Sequence, residues 1–157
     1  AGRASPATLS DSTTVAPLLK HYAVYSVPES GRNAAPAHAG RREVREIFLP
    51  VFEKAVKAGA QGAMSSYNEV DGVPTTGDHW LLTEQLRDEF GFTGYVTSDF
   101  GAISGLTEGN HATAASDEEA VMQYITAGGS MNGHDFGDQY EVHAANLVTS
   151  GKMPMAV

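Results

Sequence analysis

The chain has 157 residues, 41% of them hydrophobic, with 10 Lys and Arg against 19 Asp and Glu and a net charge of −9. That length can bury one real core, and so few basic residues argue against nucleic acid as a partner. No apolar run approaches the roughly 18 residues of a membrane span, no charged-then-apolar leader pattern opens the chain, and the absence of cysteine excludes disulfides and thiol chemistry.

Residues 1–16 are small and polar and read as a tail or the remnant of a connection. Pro17 to Tyr25 is apolar, then Lys20-His21, then aromatic, which predicts a strand ending near Lys20 and His21. Residues 26–40 hold two prolines and two glycines and read as a long loop, a length that in a compact domain points to function. From Arg41, apolar residues recur at Val44, Ile47, Phe48, Val51, Phe52, Ala55 and Val56, so a helix is predicted up to Gly59, with Pro50 kinking or dividing it.

A second strand is predicted over 62–67, with polar side chains at its C-terminal end and a turn at Asp71-Gly72 beyond it. A helix follows from Trp80 to Phe90. Tyr95, Val96 and Thr97 are strand formers and lead directly to Asp99. Gly101 to Gly109 reads as a loop with one helical turn. Ser116 caps an acidic first turn, opening a helix over Asp117 to Ala127. Residues 128–132 fit a short fourth strand, and Asp138 to Ser150 a last helix stopped by Gly151 and Pro154.

Four strands alternating with four helices predict an α/β fold with a parallel sheet. A closed βα barrel needs eight such units and about 250 residues, so four units make half a barrel, incomplete on its own. A small open α/β sandwich is the alternative. In a βα barrel, a residue where a strand runs out at its C-terminal end faces the active-site mouth. Asp99 occupies such a place, although Asp is equally suited to capping the element that follows. His111, His134 and His143 match no zinc-binding spacing, and no phosphate loop is present; neither metal nor cofactor is predicted.

Six motifs stand in an order and spacing that resembles glycoside hydrolase family 3: Lys20-His21-Tyr22, Met64 to Asn68, Asp71 to Pro74, Trp80 to Thr83, Arg87 to Phe92 and Val96 to Ala102. The resemblance runs from Leu18 to Lys152. It implies the second half of a (β/α)8 barrel over residues 17–157, an exo-acting β-glucosidase-like activity with retention, and a β-linked oligosaccharide or glycoside as substrate. It also implies a periplasmic or secreted enzyme.

By the same resemblance Asp99 is the nucleophile. Lys20 and His21 bind the hydroxyls of the non-reducing sugar, Met64 lines that subsite, Tyr67 stands beside the nucleophile and Phe100 stacks on the leaving group. The remaining barrel half and a second domain bearing the acid/base would be the missing partners. A minority branch takes its acid/base from a loop histidine, where His38 stands here without the usual flanking residues, and Arg32 reads as structural. Ser130-Met131-Asn132 departs from the Asp-Met-Asp common at that place. A β-xylosidase, a β-N-acetylglucosaminidase, or a carbohydrate-binding scaffold without turnover are the alternative functions.

Overall fold

A computed structural model describes residues 10–109, 111–137 and 139–155. Most of the tail reading, and Asp138 at the predicted start of the last helix, lie outside the described residues. Three strands, β1 (Leu18–Tyr22), β2 (Gly62–Ser65) and β5 (Tyr95–Thr97), form one parallel sheet in the order β1-β2-β5. Leu19, Ala63 and Val96 stand in register across it. Successive parallel strands side by side, each pair joined through a helix, are the βα arrangement that the alternation predicts.

The predicted fourth strand is present only as a single parallel bridge, Thr97 to Met131. Its backbone bonds still continue the sheet: Ser130 and Met131 N–H donate to the Val96 carbonyl, both at 2.9 Å, and Ser98 N–H donates to the Met131 carbonyl at 3.1 Å. Two glycines precede this segment and irregular chain from Asn132 to Gly137 follows it, so the pairing ends after one rung. Among the described residues the fourth βα unit therefore has a single bridge in place of a full strand.

The helix beginning at Arg41 is divided, as Pro50 requires. A short α1 (Arg41–Glu43) widens into a π turn (Val44–Phe48) and continues as α2 (Leu49–Lys57), with Pro50 in the first turn of α2. There the missing proline N–H and the ring's clash with the preceding turn are absorbed by the wider coil. Gly59, at φ 100°, takes the left-handed position that ends it. The Trp80–Glu89 helix is also π-wound and starts on Asp78, whose carboxylate accepts the N–H of Trp80 at 2.9 Å. α3 (Asp117–Ala127) matches its prediction, with Ser116 Oγ accepting the Glu119 N–H at 3.2 Å. α4 (Gln139–Thr149) closes the order.

Asp71-Gly72 makes a tighter structure than a turn alone. β3 (Glu69–Val70) and β4 (Val73–Pro74) pair antiparallel around it, and both turn residues have positive φ, 50° and 85°. That is the backbone twist that a two-residue hairpin favours.

One face of the sheet is packed. Tyr22, Ala63 and Val96 sit in a buried cluster with Val44, Leu49, Leu81, Leu82 and Leu86 of the helices. A second cluster joins Ile103, Leu106, Val121, Tyr124 and Leu147 beneath α3 and α4. The other face of the sheet has Leu18 and Tyr95 folded over Gly62, where a Cβ would come within 2.8 Å of both side chains. Tyr95 and Met131 remain exposed, as do Ile47 and Val51 beside the edge strand β1. An open sandwich would cover both faces; here the described helices cover one.

Candidate active site

The C-terminal ends of β1, β2 and β5 meet at one rim. β5 ends at Thr97, the buried Ser98 follows, and Asp99 emerges at the surface. Its carboxylate is half-buried and lies 3.3 Å from His21 Nε2, the two side chains being 15% and 22% exposed. At that separation the carboxylate charge favours the protonated imidazole, against the effect of burial. Phe100 N–H donates to the other carboxylate oxygen at 2.8 Å, which fixes the rotamer of Asp99. This local bond is part of what an Asp offers a chain turning out of a strand.

Tyr67 lies just past β2. Its hydroxyl donates to the Phe100 carbonyl at 2.6 Å. Partial burial and the neighbouring Asp99 carboxylate push the Tyr67 phenol up to about 12. Tyr67 is therefore a neutral donor at any working pH. Tyr25 joins the group through its ring, edge-on to His21 at 4.8 Å and 6.2 Å from Tyr67. Burial and the Asp99 charge raise its phenol as well.

The His21 imidazole is held below its ordinary value, first by burial; the Lys20 ammonium adds to that and the Asp99 carboxylate opposes it. Lys20 and His21 line a cleft of about 510 Å³ with Tyr25, Phe48 and Phe52. Met64 is half-buried one strand away, in register with Thr97. The Phe100 ring is 70% exposed and meets His134 edge-on at 6.4 Å. An apolar ring held outward beside a carboxylate offers a stacking surface.

Hydroxyls that the sequence reads as a polar strand end prove to be buried ties. Thr75 Oγ1 donates to the Ser66 carbonyl at 2.6 Å, Ser65 Oγ meets Thr76 Oγ1 at 2.9 Å, and Ser66 N–H donates to the Tyr22 carbonyl at 3.1 Å. The first two tie the end of β2 to the 3-10 turn Thr75–Gly77, and the third ties it to the end of β1, beside His21. His111, a side chain 6% exposed, donates from Nε2 to the Tyr67 carbonyl at 2.7 Å and faces Glu69 at 3.3 Å. His38 pairs with Glu29 at 3.4 Å in the exposed loop and is not joined to the Asp99 group by any hydrogen bond or ring contact. Arg32 contributes backbone turns, its N–H donating to Glu29 at 3.1 Å. Among the described residues no three His, Asp or Glu side chains gather to hold a metal.

Parallel strands that deliver a carboxylate, an imidazole and a phenol to one rim belong to the βα-barrel class of folds, where loops at the strand ends carry the site. Within that class, the chain belongs to glycosyl hydrolase family 3, whose N-terminal domain model matches residues 6–157. The periplasmic β-glucosidase of Salmonella typhimurium is 36% identical over 146 residues, covering 93% of this chain and 19% of the relative. A β-xylosidase of Formosa agariphila is 36% identical over 123 residues, 78% of this chain and 17% of the relative. Among solved structures, a β-glucosidase of Erythrobacter marinus superposes with a TM-score of 0.86 at 34% identity, covering 97% of this chain and 20% of that one. The Listeria innocua β-glucosidase in complex with isofagomine superposes at 0.84 and 32% identity, over 90% of this chain and 19% of that one. The chain thus spans about a fifth of the length of these relatives.

Proposed function

We propose that the chain carries the nucleophile-bearing part of an exo-acting, retaining β-glycosidase of β-glucosidase type. The observation that carries this reading is Asp99 at the strand rim, with His21 at 3.3 Å and the Tyr67 hydroxyl beside it. In the first half-reaction the Asp99 carboxylate attacks the anomeric carbon, and the glycosidic oxygen leaves with a proton from an acid outside this chain. In the second, that group takes a proton from water, the water oxygen attacks the same carbon, and the Asp99 ester bond breaks. Two inversions give retention.

Lys20 and His21 would bind the hydroxyls of the terminal sugar, and Met64 would line that subsite. Tyr67 would steady the carboxylate with its hydroxyl, while Phe100 would stack on the leaving group. We assign residues 17–157 to a barrel completed by chain outside this segment, and residues 1–16 to a connection. The exposed Tyr95 and Met131 on the uncovered sheet face, and Ile47 and Val51 beside its edge, support that reading. Structures of the Listeria innocua enzyme with glucose and with laminaribiose support a β-glucoside as substrate. The Formosa agariphila relative supports a β-xyloside as the second reading.

In the complete protein, Asp99→Asn lowers turnover of an aryl β-glucoside by about a thousandfold or more while leaving the circular dichroism spectrum unchanged. Activity near that of the unmodified protein refutes the assignment.

A further inference from the structure

A second aspartate lies directly behind the rim. Asp135 is 1% exposed, so it reaches neither substrate nor water and cannot serve as the missing proton donor. Its Oδ1 accepts the N–H of Ile103 at 3.0 Å and of Ser104 at 2.9 Å, at the start of the short 3-10 turn Ser104–Leu106. Its Oδ2 accepts the Ser98 hydroxyl at 2.9 Å. Ser98 Oγ in turn accepts the Gly133 N–H at 2.7 Å, and Asn132 holds the Asp135 backbone through its own amide, Nδ2 donating to the Asp135 carbonyl at 2.9 Å. Only glycine fits at 133, because a Cβ there would lie 2.1 Å from the Ser98 carbonyl oxygen. Burial raises the Asp135 carboxyl, while the three donors pull it back down.

These bonds share a target. Ser98 immediately precedes Asp99, and Ile103 and Ser104 close the loop that follows it. That loop also contains the Phe100 carbonyl, the acceptor for Tyr67. We propose that Asp135 is a positioning residue for Asp99, clamping the backbone on both sides of the nucleophile through one buried carboxylate. The inference rests on the nucleophile reading given above. Three donors converge on this carboxylate and need an acceptor-only group. Asn supplies one oxygen for the two backbone N–H groups but turns an NH₂ toward Ser98, whose hydroxyl proton then has no acceptor. A nucleophile released by this change drifts from its line of attack, and a displacement on the order of 1 Å is enough to slow a reaction about a hundredfold.

The test uses the complete protein and two variants, Asp135→Asn and Ser98→Ala, with Asp99→Asn as control. An activated 2-deoxy-2-fluoro-β-glucoside reads the attack step directly, as the rate constant of covalent trapping, separate from its binding constant. Both variants are expected to keep a cooperative thermal transition and a binding constant within about threefold. Trapping and kcat should fall together, about tenfold to a hundredfold for Asp135→Asn and at least about fivefold for Ser98→Ala. A role in folding alone would lower the melting temperature and leave the trapping rate of folded protein unchanged. Folded variants whose trapping rates stay within twofold overturn the proposal. If one variant does not fold, the other decides; if neither folds, Asp135 is a folding determinant and the positioning role is rejected. If Asp99→Asn still turns over substrate, the nucleophile reading falls first. If that control is inactive and both variants trap normally, only the positioning inference fails.

Discussion

His21 is the side chain whose charge the site controls most directly. Burial and Lys20 disfavour its protonated form, and Asp99 favours it, with burial the largest effect. Its folded value therefore lies below the unfolded one near 6.5. The stability this group contributes is therefore present above the unfolded value and is lost as pH falls through the folded one. Titration of the His21 ring by NMR in the complete protein should show a midpoint below 6.5. Asp99→Asn should move it lower still, since a favourable carboxylate charge is removed, and Lys20→Met should move it up. A midpoint that rises in Asp99→Asn contradicts the observed pairing. At this scale much of the site was legible. Asp99, His21 and Tyr67 stand in motifs whose order is specific, and they converge. Tyr25 is not legible as a site residue, because an aromatic after a strand carries no signal of its own. Asp135 lies in a loop without periodicity, so its role depends on a fold that brings residues 98 and 135 together.

At the scale of elements, the sheet strands, the division of the first long helix and the cap of α3 all follow from local chemistry in the sequence. The hairpin at Asp71-Gly72 was only half legible, since its strands are two residues each and too short for a pattern. The last strand is the clearest departure. Its segment is held less by its own ladder than by Tyr124 of α3. That buried phenol packs on Gly129, and its hydroxyl reaches the Val96 carbonyl at 2.9 Å and the Met131 carbonyl at 2.7 Å. A side chain 28 residues from its acceptor cannot be read from spacing. Tyr124→Phe removes the donor while each carbonyl keeps a backbone partner. The loss should be about 1–2 kcal/mol, seen as a lower denaturant midpoint with an unchanged slope. No change in midpoint would show that the bridge at Met131 stands without this tie.

At the scale of the molecule, the uncovered face and edge make sense together. A parallel sheet is ordinarily covered on both faces, or closed upon itself. Here one face meets helices and the other presents Tyr95 and Met131, in a chain that spans about a fifth of its relatives. Closure by chain outside this segment is the reading proposed above; the weakness of the fourth unit is not legible in the sequence, because hydrogen-bond pairing depends on neighbours in space. The proposed bond between Asp99, at the rim of that sheet, and sugar can be trapped by reacting the complete protein with an activated 2-deoxy-2-fluoro-β-glucoside and mapping the adduct by peptide mass spectrometry. One fluoroglucosyl group, attached to the side chain of Asp99, is the expected result. A sugar found on another carboxylate overturns the assignment.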